Sequence, residues 1–159
     1  MRIVGGKYAG WDLTSPKDFR VRPTAERVRT ALLEKLAADL PDASVLDLFA
    51  GSGALGLEAI SRGAKRVDFV EFRPSSLHAL KANIVTLRVR ERTRVFKRDA
   101  VQFAAALGAA SYDIAFADPP YESRQLDRVI KSWLASKFSR VLAVEHAKTH
   151  ELQIGRAHV

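Results

Sequence analysis

The sequence predicts an α/β domain in which a mostly parallel sheet carries helices on both faces, preceded by an N-terminal hairpin and helix. Three observations carry this expectation. Five short, largely apolar runs recur along the 159 residues, separated by stretches too long for hairpin turns. Between them apolar residues return every three or four positions, the period of a helix that packs one face on a sheet. A glycine-rich turn follows the first run, where a strand would pass into a helix. Right-handed crossovers then make the strands parallel and cover both faces of the sheet.

Taken in order, residues 1 to 13 predict a small hairpin, with the glycines of IVGGKYAGWDL at its turns. Thr24 can cap a helix running to about Leu40, with Val28, Ala31, Leu32 and Leu36 inward and Pro41 as its stop. SVLDLFA (44–50), RVDFVEF (66–72), RVFKRDA (94–100), YDIAFAD (112–118) and RVLAVEH (140–146) read as strands. Leu77, Leu80, Ile84 and Leu87, and then Leu126, Val129, Ile130 and Trp133, mark two inward helix faces. Pro74 stands where a helix begins; Gly63 and Gly108 stand where helices end. Trp11 and Trp133 read as packing residues.

Composition excludes several classes. With no cysteine, disulfides and thiolate metal sites are ruled out, and a cytoplasmic setting is expected. No apolar run approaches the roughly 18 residues of a membrane span, and the first residues lack a secretion signal's apolar core. No His, Asp and Glu set has metal-ligand spacing, so no metal is expected. Lys and Arg number 26 against 18 Asp and Glu, a net charge of +8. The stretch TLRVRERTRVFKR (86–98) is the most basic. Such an excess suits a polyanionic partner, because each neutralised phosphate releases counterions.

In open parallel sheets, ligands bind beyond the carboxyl ends of the strands. Gly51 to Gly56, GSGALG, follows the first strand with GxGxxG spacing, which suits a dinucleotide as well as other nucleotide-bearing ligands. Glu71, ending the second strand, could accept from both hydroxyls of a ribose. Asp47 inside the first strand suits a cationic ligand such as the α-ammonium of methionine and disfavours a pyrophosphate. Asp99 could accept from an adenine amino group or cap the helix that follows it.

DPPY, residues 118 to 121, supplies the chemistry. Proline fixes φ, removes a donor and holds the preceding residue extended, so the Asp118 carboxylate and the Pro119 carbonyl become two stiff acceptors. They could hold both hydrogens of an exocyclic amine while Tyr121 stacks on the base, and Pro120 stiffens the turn between them. With its hydrogens held, the nitrogen can pyramidalise toward a methyl sulfonium while Asp118 stabilises the charge developing on it. A nicotinamide-dependent oxidoreductase, an adenine-N6 methyltransferase and a silent nucleic-acid-binding fragment are the competing readings.

From MRIVGGKYAG through RPTAERVRTAL, VLDLFAGSGALGLEAISRGA, VDFVE, RDA, DPPY and VEH, the chain resembles the bacterial 16S rRNA (guanine-N2)-methyltransferase family. The resemblance implies a Rossmann-like class I S-adenosylmethionine-dependent methyltransferase fold with strand order 3-2-1-4-5 and a final antiparallel hairpin. It implies that Asp47, Phe49, Ala50, Gly51, Ser52, Gly53, Glu71, Phe72, Asp99 and Ala100 hold the cofactor. Asp118, Pro119, Pro120 and Tyr121 would hold the target guanine. Arg2, Lys7, Arg22, Thr24 and Arg27 would contact 16S ribosomal RNA or the assembling small subunit, with the protein a monomer. The family continues past VEH, whereas IGRAHV matches a sequencing adapter read in frame. Residues 1–153 are thus expected to form one methyltransferase domain, with 1–40 as its RNA-contacting extension and 41–153 as its catalytic core. Residues 154–159 would be a tail, and the terminal hairpin would be missing.

Overall fold

The computed structural model describes residues 1–16, 23–119, 124–145 and 157–158, without the side chains of 23–25, 157 and 158. Its elements are α1 (Pro23–Lys35), β1 (Ser44–Leu48), α2 (Ala54–Ser61), β2 (Arg66–Glu71), α3 (Pro74–Leu87), β3 (Thr93–Lys97), α4 (Ala100–Ala105), β4 (Tyr112–Ala117), α5 (Arg124–Ser136), β5 (Ser139–Val144) and β6 (Ala157–His158). The described strands pair in one parallel sheet of order β3-β2-β1-β4-β5-β6. The expected order of the first five strands is borne out. At the edge beside β5 stands a two-residue parallel strand, drawn from the segment that the sequence set aside as a tail.

Strand order reverses between β1 and β4, so the chain leaves β1 toward one face and returns on the other. One core lies between the sheet and α1, α2 and α3; it includes Leu33, Leu57, Phe69, Leu80 and Ile84. The second lies under α4 and α5, where Leu126, Val129, Ile130 and Trp133 meet Leu46, Leu48 and Leu142. The periodic faces of α3 and α5 are buried as their spacing predicts. Trp133 Nε1 donates to the Ser139 carbonyl at 2.8 Å, which satisfies the polar handle of the largest buried side chain.

Three local expectations fail. Residues 1 to 13 do fold back antiparallel, with Ile3 N–H donating to Trp11 O at 2.9 Å and an isolated bridge between Arg2 and Asp12. Trp11, however, is 43% exposed and meets Tyr8 edge-on, so it does not pack in the core. Helix α1 is rotated from its expected face and stops at Lys35, short of Leu40: Arg29 and Leu33 are buried while Val28 and Ala31 are exposed, although Leu36, just beyond it, is buried as expected. The cause is electrostatic. Buried Glu58 on α2 accepts from Arg29 Nε at 3.3 Å and from the backbone N–H groups of Val4 and Gly5 at 2.9 Å each, so the guanidinium is drawn inward. Thr24 lies inside the first turn, because the helix begins at Pro23.

Candidate active site

The carboxyl ends of β1, β2 and β4 open on one cavity of about 600 Å³, inside the range of roughly 300–1,000 Å³ usual for small-molecule sites. Its walls include Asp47, Phe49, Ala50, Gly51, Ser52, Glu71, Phe72, Ala100, Asp118 and Pro119. Met1, Ser15, Pro16, Val28, Arg29 and Leu32 close it from the N-terminal side, so the extension is part of the site.

The turn after β1 explains its glycines unequally. Phe49 has φ 58°, a left-handed conformation that costs a β-carbon-bearing residue about 1–2 kcal/mol and reverses the chain sharply. Gly51 follows at φ 58°, and a Cβ there would meet nothing within 4 Å, so the missing side chain leaves open space. Gly53 and Gly56 serve packing instead. A Cβ on Gly53 would strike Leu80, and one on Gly56 would lie 2.5 Å from Phe69. Of the three glycines, the first is the one whose bareness suits a ligand.

Two acids hold this turn. Glu71, buried at the end of β2, accepts from Gly51 N–H at 2.8 Å through Oε1, and from Phe72 and Arg73 N–H at 2.9 and 3.0 Å through Oε2. Asp47, 2% exposed, accepts from Gly56 N–H at 3.0 Å. Burial pushes the Asp47 carboxyl well above its ordinary range, the Gly56 hydrogen bond opposes this, and Asp118 and Glu71 add to the rise. A buried acid with two acidic neighbours would be relieved by a cation in the cavity. The residues present therefore fit a ligand with a cationic end, a ribose and a broad apolar part; Phe72, 51% exposed on the wall, offers the last an aromatic face.

Asp118 follows β4 directly and is open to water, yet protein walls surround it. That crowding, together with the charge and hydrogen bond of neighbouring Glu145, raises its carboxyl from 3.8 to about 7. Pro119 lines the same cavity, while Pro120 and Tyr121 lie outside the described residues. Asp99 takes the other role its sequence allowed: it caps α4, accepting from Gln102 N–H at 2.9 Å, and the wall beside it is made by Arg98 and Ala100. Arg2, Lys7 and Arg27 are exposed; Arg22 and the side chain of Thr24 lie outside the description. Arg2 already faces Glu26, with 3.8 Å between Nε and Oε1.

Sequence reasoning missed three positioning residues. Glu58 is the one charged residue of the mostly apolar α2, and Asn83 stands on the apolar face of α3 between Leu80 and Ile84; a polar residue on such a face is the signal that could have found them. Asn83 Nδ2 donates to the carbonyls of Thr14 and Ser52 at 2.9 Å each, and its Oδ1 accepts from Thr14 N–H at 2.7 Å. It ties the N-terminal segment to the glycine turn. Glu145, at the end of β5, is the third.

Strand order, the glycine turn after β1, an acid at the end of β2 and the Asp-Pro pair at the end of β4 together define a Rossmann-like methyltransferase fold. Within that class, the chain belongs to the family described as conserved hypothetical protein 95, whose model matches residues 1–156. It is 39% identical over 142 residues to ribosomal RNA small subunit methyltransferase D of Escherichia coli, covering 86% of this chain and 71% of that protein. Among solved structures, an E. coli protein superposes with TM-score 0.76 at 38% identity, over 86% of this chain and 73% of that one. A Thermus thermophilus protein superposes with TM-score 0.81 at 32% identity, over 98% and 91%. Among the described residues there is no helix long and apolar enough to cross a membrane, and no group of three metal-ligating side chains.

Proposed function

We propose that this chain transfers a methyl group from S-adenosylmethionine to the exocyclic N2 amine of a guanine in 16S ribosomal RNA. One observation carries the reading: a single cavity joins the Asp47, Gly51 and Glu71 wall to the Asp118 and Pro119 wall, so a donor site and an acceptor site share one space. The E. coli relative is named for small-subunit ribosomal RNA, and the net charge of +8 suits that polyanion.

When bound, the cofactor supplies an electrophilic methyl group on a sulfonium. Asp47 receives its cationic methionine end, the bare Gly51 turn admits its backbone, Glu71 accepts from the ribose, and Phe72 and Ala100 border the adenine. Asp99 contributes there through the carboxylate oxygen that its helix cap leaves over. On the other wall, Asp118 and the Pro119 carbonyl accept the two amine hydrogens, which aims the nitrogen lone pair into the cavity. Ionised Asp118 stabilises the positive charge that develops on that nitrogen, a preorganised electrostatic contribution. Pro120 and Tyr121 complete the base pocket. The guanine must be splayed out to reach it, at a cost of a few kcal/mol offset by stacking. Arg2, Lys7, Arg22, Thr24 and Arg27 contact the RNA backbone.

The test is transfer of labelled methyl groups from S-adenosylmethionine to unmodified small-subunit ribosomal RNA, followed by nucleoside analysis. Label in N2-methylguanosine with wild type, and its loss with Asp118→Ala at retained cofactor affinity, is the expected result. Label in another nucleoside, or undiminished transfer by Asp118→Ala, would overturn the assignment.

A further inference from the structure

The acceptor wall contains one acid more than amine methylation needs. Ala117 and Val144 are register partners across β4 and β5, so the next residues, Asp118 and Glu145, leave the sheet side by side. Glu145 N–H donates to the Ala117 carbonyl at 3.3 Å, which fixes that backbone against the end of β4. Both side chains line the same cavity and both are open to solvent, and Glu145 is close enough to help raise the Asp118 carboxyl.

The amine-bearing bases differ beside the amine. In guanine the neighbouring N1 carries a hydrogen, whereas in adenine and cytosine the neighbouring ring nitrogen presents a lone pair. Asp118 and the Pro119 carbonyl grip an amine and cannot tell these bases apart. A second carboxylate at the adjacent position can, since it accepts from N1–H and repels a lone pair. Resting on the guanine reading above, we infer that Glu145 is the specificity residue of the site, accepting the N1–H of the target guanine while Asp118 and Pro119 hold its N2 amine.

The probe is 2-aminopurine, which keeps the 2-amine and has a lone pair at N1. It is placed in a small-subunit RNA fragment at the guanine that wild type labels. Wild type is expected to favour guanine over 2-aminopurine by roughly 10- to 100-fold in kcat/KM. Glu145→Gln, whose amide can donate to a lone pair, should compress that preference to within about threefold, lowering guanine turnover and raising 2-aminopurine turnover. Glu145→Asp should keep the preference at reduced efficiency. Cofactor affinity and melting of both variants, measured alongside, separate altered recognition from misfolding. An unchanged guanine preference in Glu145→Gln, or no preference in wild type, would overturn the assignment to Glu145 while leaving guanine methylation standing. A wild type that labels adenine, or nothing, removes both together.

Discussion

Glu71 and Gly51 stand 20 residues apart in sequence and 2.8 Å apart in space, the carboxylate accepting from the glycine N–H. The acid proposed to hold the ribose therefore also holds the turn that admits the rest of the cofactor. Glu71→Ala should weaken S-adenosylmethionine binding by more than a lost ribose contact would, because the turn loses its anchor as well. Hydrogen bonds to a charged group contribute about 1.5–3 kcal/mol each, so a fall of at least 10- to 100-fold is expected. Calorimetric titration measures it. An affinity within threefold of wild type would remove Glu71 from the cofactor site.

The glycines of the same turn separate a ligand role from a packing role. Gly51→Ala should keep the fold at a cost of about 1–2 kcal/mol for its left-handed backbone, yet lower cofactor affinity, because the new methyl group enters open space beside the cavity. Gly53→Ala drives its methyl group into Leu80 and should lower stability more, by that backbone cost plus the roughly 1–3 kcal/mol typical of overpacking. Denaturant unfolding and cofactor titration of the two variants should therefore rank them in opposite orders.

Asp118 works only when ionised, and its carboxyl is raised to about 7 by crowding and by Glu145. Turnover should accordingly rise about tenfold per pH unit below that value and level off above it. The sign for stability is opposite. A raised carboxyl favours the folded protein most below its ordinary 3.8, and that contribution is lost as pH climbs through about 7. Asp118→Asn should flatten the stability loss across this window and reduce turnover by about 10²–10³ above pH 7, with a gap to wild type that narrows as pH falls. A pH–rate profile in wild type that is flat from 5 to 8 would show that Asp118 does not titrate during turnover.

Local patterns made most of the sheet and its helices legible. The spacing of Leu77, Leu80, Ile84 and Leu87 alone predicts which face of α3 is buried, because helix period and core contact are both local to the sequence. Asp47, Gly51, Glu71 and Asp118 were legible for a related reason: parallel strands bring their carboxyl ends together whatever lies between them. What escaped depended on partners distant in the chain. Arg29 is buried because Glu58 waits on α2, which rotates α1 against its apolar pattern. Asn83 looks like a defect in α3 until Thr14 and Ser52 arrive to satisfy it. Trp11, on the short N-terminal ribbon, remains 43% exposed and meets Tyr8 edge-on. Glu145 gained meaning from the register of β4 against β5, which no window of sequence contains.

Glu58 offers the sharpest stability test. It is fully buried and accepts from Val4 and Gly5 N–H, Arg29 Nε at 3.3 Å and Arg62 Nε at 3.0 Å. Removing it leaves Arg29, only 5% exposed, as a buried charge without its main partner. Glu58→Ala should cost about 3–5 kcal/mol, a large share of the 5–15 kcal/mol that holds a typical domain together. Glu58→Gln keeps an acceptor for the ribbon and should cost less. If the buried pair is the cause, replacing Arg29 and Glu58 together by methionine should recover much of the loss, because no buried charge is then left uncompensated. Urea unfolding of the two single methionine variants and the double variant decides it. Additive losses would show that the two residues act independently, and that the rotation of α1 has another origin. Because α2 starts at the glycine turn and carries Glu58 to the N-terminal ribbon, Glu58→Gln should also weaken RNA binding more than cofactor binding.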